Sequence, residues 1–170
     1  FDDNSEGVER MVLAGEVELG VCSPVSQDRR LAFEPLLRDA FGLVCHRGHP
    51  LARRKSVTWR EIEDLPLVGT IAHRQLAGYP QAAFMLDRQV FVSNMMSLLA
   101  MLERGVGVTV LARLGVPPDS RGLAFVPLSA PRIERELGIT RLAGRSLSPA
   151  AARMEEMLRA KAAKRGRSVV

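Results

Sequence analysis

The chain opens with a helical spacing of apolar residues, which is followed by a strictly alternating segment. The helical part begins after Ser5, a good N-cap residue, and is expected to end at Gly15, because glycine readily adopts the left-handed conformation of a helix terminus. Residues 16–22 then alternate between polar and apolar positions, which predicts a β-strand. The predicted buried side of this strand carries Val17, Leu19 and Val21.

Short apolar segments and helical segments alternate along the rest of the chain. We expect further strands at residues 31–37, 41–45, 67–70, 89–92, 106–111, 123–126 and 137–142. Pro35 suggests an edge or irregular position in the first of these. We expect helices at residues 58–64, 81–88, 95–103 and 149–163, and capping residues precede three of them: Thr58, Ser93-Asn94 and Ser148. This alternation is typical of an α/β fold with mainly parallel sheets.

The composition is that of a globular chain. Its 170 residues are 46% apolar and 25% charged, which suffices for one core or for two small lobes. No apolar run reaches the roughly 18 residues of a membrane-spanning helix, and no signal peptide is visible. Because the first residue is Phe rather than Met, we expect a processed product or a fragment. Cys22 and Cys45 lie in apolar segments, which favours buried, reduced thiols suited to the cytosol.

The basic residues are concentrated at one end of the chain. With 24 basic and 19 acidic residues the formal net charge is +5, and the segment from Arg159 to Arg167 alone holds five basic residues and no acid. Without that segment the body is formally neutral. A neutral body argues against a broad basic face that would bind nucleic acid through its phosphates. We therefore interpret the basic segment as a solvated helix end.

The sequence shows no recognisable catalytic or metal centre. His46, His49 and His73 lack the partners and the spacing of zinc ligands. Neither a Gly-x-Ser-x-Gly nucleophile turn nor a Gly-x-x-x-x-Gly-Lys phosphate loop is present. Gly105-Val106-Gly107 follows a helix and precedes a strand, the reverse of the dinucleotide-binding order. We expect no enzyme activity, no cofactor and no metal.

Polar residues instead collect where predicted strands give way to helices. These positions are Asn4-Ser5, the loop after Cys22, the loop after Thr70, and Ser93-Asn94. In open α/β sheets, ligands bind at the carboxyl ends of the strands, and helix N-termini attract anions. The pattern therefore predicts a site for a small anion that contains no catalytic group.

Six segments occur in an order that is shared with a known family. They are VERMVLAGEVELGV (8–21), FEPLLRDAFGLVCHRGHPLA (33–52), VTWREIEDLPLV (57–68), VSNMMSLLAMLERGVGVTVL (92–111), LAFVPL (123–128) and SLSPAAARMEEML (146–158). In this order they resemble the effector-binding domain of LysR-type transcriptional regulators, over about residues 1–160. The resemblance implies two Rossmann-like subdomains that are joined by two crossover strands, as in periplasmic solute-binding proteins.

The resemblance also implies where the subdomains begin and end. Subdomain I comprises residues 1–38 and 128–165, subdomain II comprises residues 39–127, and residues 166–170 form a basic tail, with crossovers near Arg38-Asp39 and Val126-Pro127. Family members also carry a winged helix-turn-helix, a linker helix, and a first strand and helix of subdomain I, which this sequence lacks. We therefore expect the natural polypeptide to begin upstream, and DNA contact to be made only through that absent winged helix-turn-helix.

The function implied by the resemblance is that of a cytoplasmic bacterial regulator. It binds a small organic anion between the subdomains and assembles as a homodimer or homotetramer, with dimer contacts from the helices starting at Ser5 and near Gln81. The effector-contacting residues carried over by motif are Asn4, Ser5, Ser23, Thr70, His73, Ser93 and Asn94. Two alternatives remain open: a free-standing solute-binding protein, which would need an export signal, and a small α/β enzyme. No membrane association is expected.

Overall fold

The chain forms two compact units, and two of its strands contribute residues to both. The computed structural model describes residues 1–86 and 90–166, with side chains as far as Lys164. Unit 1 comprises Phe1–Arg38 and Glu136–Val170, and unit 2 comprises Asp39–Arg135. Strands β2 (Leu31–His46) and β6 (Glu134–Leu142) each contribute to both units. The expected helix end at 87–88, the expected strand residue Gln89 and the tail 167–170 lie outside the described residues.

The chain leaves unit 1 between Arg38 and Asp39, and the subdomain bounds implied by the resemblance stay predictions. It returns between Arg135 and Glu136, later than the expected step near Val126-Pro127. The difference arises because strand β5 (Leu123–Ser129) pairs with the second half of β2 and so lies entirely in unit 2. The return is made by β6 instead.

Unit 1 packs two helices on a sheet formed by β1 (Leu19–Cys22), β6 and the first part of β2. The first helix, α1, spans Ser5–Ala14 and ends at Gly15, whose φ of 72° confirms the expected left-handed terminus. Its N-cap is Asn4 rather than the expected Ser5, because the Asn4 side chain accepts the N–H of Gly7 at 3.1 Å.

The buried face of β1 differs from the expected one. Val21 is 45% exposed, whereas its neighbour Cys22 is buried. The reason is the close approach of α1 at Gly20, where an added Cβ would overlap Cγ1 of Val8. Because side chains alternate along a strand, α1 covers the side of Gly20 and Cys22 and leaves Val21 in solvent.

The last helix, α4 (Pro149–Gly166), is held to the rest of unit 1 by Ser148, which precedes it, and by Arg159 in its middle. Glu18 accepts the N–H of Ser148 at 2.7 Å and its hydroxyl at 2.6 Å, and these hydrogen bonds lower the pKa of Glu18. Arg159 donates to Glu34 and to Glu155, so it is not part of the solvated basic end that the sequence predicted. No helix within residues 1–86 and 90–166 is both long and apolar enough to cross a membrane.

Unit 2 is built around the second half of β2. This half lies between β4 (Thr109–Ala112) and β5 and pairs antiparallel with both, while β3 (Val57–Thr58) continues the sheet parallel to β5. The sheets are therefore mixed and not mainly parallel. The expected strands at 67–70 and 89–92 are reduced to two isolated parallel bridges, Leu67 to Val108 and Gly69 to Phe91.

The helical elements of unit 2 are short. The α-helices are α2 (Trp59–Ile62) and α3 (Met95–Glu103), which begin with the expected capping box at Thr58 and the expected cap at Asn94. The remaining turns are 3₁₀ helices: Pro50–Arg53, Ile71–Leu76, Pro80–Met85 and Arg113–Gly115.

The two segments expected at 31–37 and 41–45 form one continuous strand, β2, with Pro35 at an exposed position. Beyond Asp39, both faces of β2 are buried. Phe41, Leu43 and Cys45 join one core cluster, whereas Val44 joins a second cluster with the leucines of α3. Burial on both faces explains why this half of the strand is apolar without alternation.

Two adjacent ion pairs connect β2 and β6 where each strand leaves one unit and enters the other. In one pair the basic residue is on β2, and in the other pair it is on β6. Arg38 pairs with Glu136 at 3.6 Å, and both side chains are exposed. The adjacent Asp39 pairs with Arg135 at 2.9 Å, and its carboxylate also accepts the N–H of Leu114 at 3.1 Å. The Asp39 side chain is only 2% exposed, so water does not solvate its carboxylate. The bonds from Arg135 and from the N–H of Leu114 stabilise the negative charge instead.

The two pairs provide a matched test of this role. We expect Asp39→Ala to lower the free energy of unfolding by about 3 kcal/mol, since a largely buried guanidinium and a backbone N–H lose their acceptor. Glu136→Gln, which removes the exposed neighbouring pair, should cost about 0–1 kcal/mol. Urea unfolding of both variants measures the difference, and equal costs would contradict the assignment.

Candidate functional site

The candidate residues of unit 1 lie at the N-terminus of α1 and just after β1. Asn4 is exposed and caps the helix through its side-chain oxygen. Ser5 Oγ accepts the backbone N–H of Ser23 at 3.3 Å, so the structure brings these two predicted residues together. Because the Ser5 hydroxyl oxygen acts as an acceptor here, its hydrogen can still be donated to a ligand.

The side chain of Ser23 is the most informative group in unit 1. Ser23 is 6% exposed, and its Oγ is buried without a hydrogen-bond partner among the described residues. A buried hydroxyl without a partner costs about 1–3 kcal/mol, so such groups mark places where a ligand or water completes the structure. The position next to Ser5 and to the positive end of α1 suits an anion.

The loop after β1 is held in place by Glu9 of α1, which the sequence analysis did not single out. Its buried carboxylate accepts the N–H of Val25 at 2.9 Å and the N–H of Ser26 at 3.0 Å. Both carboxylate oxygens are therefore used within the fold. Glu9 fixes the segment that follows Ser23, and it repels an anion less than a free carboxylate would because two N–H dipoles face it.

The candidate residues of unit 2 differ in burial. Ser93 and Asn94 are exposed, and Asn94 caps α3 by accepting the N–H of Ser97 at 3.0 Å. Thr70 and His73 are buried, at the start of the 3₁₀ helix Ile71–Leu76. The expected polar loop at 72–75 is thus a short helix whose His73 points inward.

His73 is committed to the fold through one ring nitrogen. Its Nε2 lies 3.1 Å from the carbonyl oxygen of Val110 and 3.3 Å from Oγ1 of Thr109. Since the Thr109 hydroxyl donates to the carbonyl of Val68 at 2.8 Å, both neighbours of Nε2 act as acceptors. The hydrogen-bond network therefore places the hydrogen on Nε2. This network ties the 3₁₀ helix Ile71–Leu76 to β4.

Thr70 and His73 line a pocket of about 200 Å³ within unit 2. The sequence analysis missed the other lining residues, which are Gly69, Arg74, Met85, Leu86 and Phe91. No sequence signal marked Arg74 or Phe91, because each lies in a segment that resembles ordinary loop or strand. Arg74 and Phe91 meet because the bridge between Gly69 and Phe91 brings their two segments together.

Cys22 and Cys45 are both free and buried, as expected from the apolar segments that contain them. Burial raises the pKa of the Cys45 thiol to about 11 and also raises that of Cys22. Both residues are therefore protonated, unreactive core residues at neutral pH.

Comparison with known proteins identifies the family. The family described as "LysR substrate binding domain" matches residues 1–163. The chain belongs to the LysR substrate binding domain family. The uncharacterized HTH-type transcriptional regulator YbhD of Escherichia coli (strain K12) is 32% identical over 157 residues, which are 86% of this chain and 48% of that protein. The chain spans about half the length of the curated relatives it matches.

Solved structures of effector-binding and regulatory domains share the fold. The effector-binding domain of QuiR in complex with shikimate has a TM-score of 0.79 at 16% identity, covering 96% of this chain and 80% of that chain. The Synechocystis CcmR regulatory domain in complex with 2-PG has a TM-score of 0.75 at 19% identity, covering 94% of this chain and 80% of that chain. The expected α/β fold of two Rossmann-like subdomains joined by two crossover strands, like that of periplasmic binding proteins, is confirmed.

The curated relatives are transcriptional regulators rather than enzymes, and they support a regulator over a free-standing solute-binding protein. The resemblance seen in the sequence is thereby confirmed for this LysR domain. The seven candidate site residues stay predictions. The structure places three of them in unit 1, where Ser5 contacts Ser23, and four in unit 2, where Thr70 and His73 share a pocket.

The role of Glu9 can be tested through the loop it holds. Glu9→Gln leaves one acceptor oxygen for two backbone N–H groups, so we expect the free energy of unfolding to fall by about 1–3 kcal/mol. Amide hydrogen exchange should become faster at Val25 and Ser26 in particular. Glu16→Gln, at an exposed position, is the control. Unchanged exchange at Val25 and Ser26 would show that Glu9 does not fix the loop.

Proposed function

We propose that this LysR domain is the ligand-sensing and oligomerisation part of a bacterial transcription regulator, and that its ligand is a small organic anion. Family membership and the regulator relatives support the sensing role. The anionic character is supported by the polar groups of unit 1, where the Ser5 and Ser23 hydroxyls lie at the N-terminus of α1.

The single observation that carries the proposal is the Ser23 hydroxyl. It is buried and has no hydrogen-bond partner among the described residues, although the Ser23 backbone N–H is bonded to Ser5. A carboxylate oxygen bound beside Ser5 would accept this hydroxyl and remove the cost of leaving it without a partner. In unit 2, Thr70, Ser93 and Asn94 are the corresponding candidates, and none of these residues forms a catalytic arrangement.

The proposal also covers how the regulator acts, how it contacts DNA and how it assembles. The domain acts by binding and not by turnover, because the candidate residues supply hydrogen-bond donors without a paired nucleophile and base. DNA is contacted through a winged helix-turn-helix outside this sequence, in the cytoplasm. Assembly is a homodimer or homotetramer that uses α1 and the segment near Gln81, which is the 3₁₀ helix Pro80–Met85 rather than the expected α-helix.

The test measures ligand affinity and folding stability in variants that each lack one serine hydroxyl. A set of small organic acids is screened by thermal shift, and the best ligand is titrated by calorimetry. We expect Ser5→Ala, Ser23→Ala and Ser93→Ala each to weaken binding by about 1 kcal/mol or more, which is roughly fivefold or more. Ser23→Ala should not lower the stability of the unliganded domain, because it removes a hydroxyl that has no partner there.

The control is Ser146→Ala, at an exposed position in unit 1. Its affinity and stability should match those of the unchanged domain. The proposed site is wrong if Ser23→Ala keeps full affinity, or if it loses stability as a hydrogen-bonded serine would.

A further inference from the structure

Two histidine side chains hold the turn that follows β2. The ring nitrogen Nδ1 of His46 accepts the N–H of Gly48 at 3.0 Å, and Nδ1 of His49 accepts the N–H of Leu51 at 3.2 Å. The two bonds have the same form, because each ring accepts the N–H that lies two residues later in the chain. Neither histidine belongs to the candidate ligand site, so these bonds have no part in the function proposed above.

Both bonds require a neutral imidazole ring. A ring nitrogen accepts a hydrogen bond only when it carries no hydrogen, so the hydrogen of each neutral ring is on Nε2. The protonated ring carries a hydrogen on both nitrogens, and its Nδ1–H would then face the backbone N–H that Nδ1 had accepted. Protonation therefore breaks the bond. Histidine ordinarily gains this proton between about pH 8 and pH 5, and both side chains are only half-buried, so water can deliver it.

Contacts on either side of the turn confine the change to a short segment. The N–H of Arg47 donates to the carbonyl of Gly122 at 2.9 Å, and Nε of Arg47 donates to the carbonyl of Leu123 at 3.1 Å. Neither bond involves an imidazole, so both persist when the histidines are protonated. On the other side, Leu51 and Ala52 pack against the core of unit 2. The segment that can loosen lies between these two anchors.

The His49 bond also caps the 3₁₀ helix Pro50–Arg53, which begins directly after the ring. Inside the turn, a main-chain bond from the N–H of His49 to the carbonyl of His46, at 2.9 Å, supplements the two side-chain bonds. Loss of both imidazole acceptors leaves this bond as the remaining one within the turn, so we expect loosening rather than unfolding of the unit.

The charged groups around the turn do not compensate a protonated ring. Strand β5, against which the 3₁₀ helix packs, carries no ionisable side chain. Within the described part of the chain, neither imidazole forms an ion pair. The basic residues on and beside the turn are Arg47, Arg53, Arg54, Lys55 and Arg121. The acidic ones are Glu61, which pairs with Arg54 at 3.2 Å, and Glu103, which lies beside Gly122.

We propose that the turn at residues 46–51 is a pH-dependent switch of unit 2, which is closed while His46 and His49 are neutral and loosens when they are protonated. The stabilisation by the two bonds is present at neutral pH and above, and it is lost as the pH falls into the mildly acidic range. Because β2 ends at His46, the switch acts on the end of the central strand of unit 2. It operates with or without a ligand.

The test uses NMR spectra of the ¹⁵N-labelled 170-residue chain at about pH 7.5 and about pH 5.5. The shift of an amide proton changes little with temperature when the N–H is hydrogen-bonded within the protein, and more when it is bonded to water. We expect small temperature coefficients for Gly48 and Leu51 at the higher pH and large ones at the lower pH. The coefficient of Arg47 should stay small at both, and the change should follow the titration of the ring signals.

Asparagine variants separate the imidazole bonds from other effects of acid. In His46→Asn and His49→Asn, the amide oxygen takes the position of Nδ1 and accepts at both pH values, because an amide does not titrate. The double variant should keep small coefficients at both. His46→Ala with His49→Ala should give large coefficients at both. Between the two pH values, the equilibrium constant for unfolding should rise about fivefold more for the unchanged chain than for the double asparagine variant.

The matched control is Arg53→Gln, which removes an exposed positive charge beside the turn and leaves both bonds in place. It should respond to pH as the unchanged chain does. The inference is overturned if Gly48 and Leu51 keep small coefficients at the lower pH. It is equally overturned if the double asparagine variant responds to pH like the unchanged chain, or if Arg53→Gln abolishes the response.

Discussion

The 16-residue strand β2 must satisfy two different surroundings along one continuous backbone, and the architecture follows from that constraint. Its first half lies in unit 1 and is only partly buried, whereas its second half is buried on both faces in unit 2. Asp39 stands where the two halves meet. Because its carboxylate binds Arg135 of β6 and the N–H of Leu114, one buried charge fixes both crossing strands and the turn after β4. Unit 1 is therefore built from two separate segments of the chain, whereas unit 2 is one continuous segment between them.

Buried polar groups fall into two classes in this domain. The side chains of Glu9, Asp39 and Thr109 form hydrogen bonds within the fold. Glu9 accepts from the loop after β1, Asp39 accepts from the N–H of Leu114, and Thr109 donates to the carbonyl of Val68. The Ser23 hydroxyl is not used in this way among the described residues. The distinction separates groups that shape the site from groups that can meet a ligand, although all of them are polar and buried.

The sequence predicted those features that depend on near neighbours along the chain. The capping box at Thr58, the cap at Asn94 and the terminator at Gly15 are local, and the structure confirms them. The exposed face of β1 was predicted wrongly, because the packing of α1 on Gly20 is a tertiary contact that alternation does not reveal.

The pocket of unit 2 shows the same limit of sequence reasoning. Thr70 was found as a polar residue after an apolar segment, but Arg74 and Phe91 carry no local signal of proximity to it. Their meeting depends on the bridge between Gly69 and Phe91, which joins segments about twenty residues apart. The six-segment resemblance identified the family, because the order of many weak local patterns is more specific than any one of them.

Native mass spectrometry is the most direct test of the central claim, that this LysR domain holds a small organic anion. The domain is incubated with a pooled extract of bacterial organic acids, desalted, and measured before and after denaturation. The account predicts one retained acid, which is released on denaturation and is retained much less by Ser23→Ala. Retention of no acid, or equal retention by the domain and by Ser23→Ala, would contradict it.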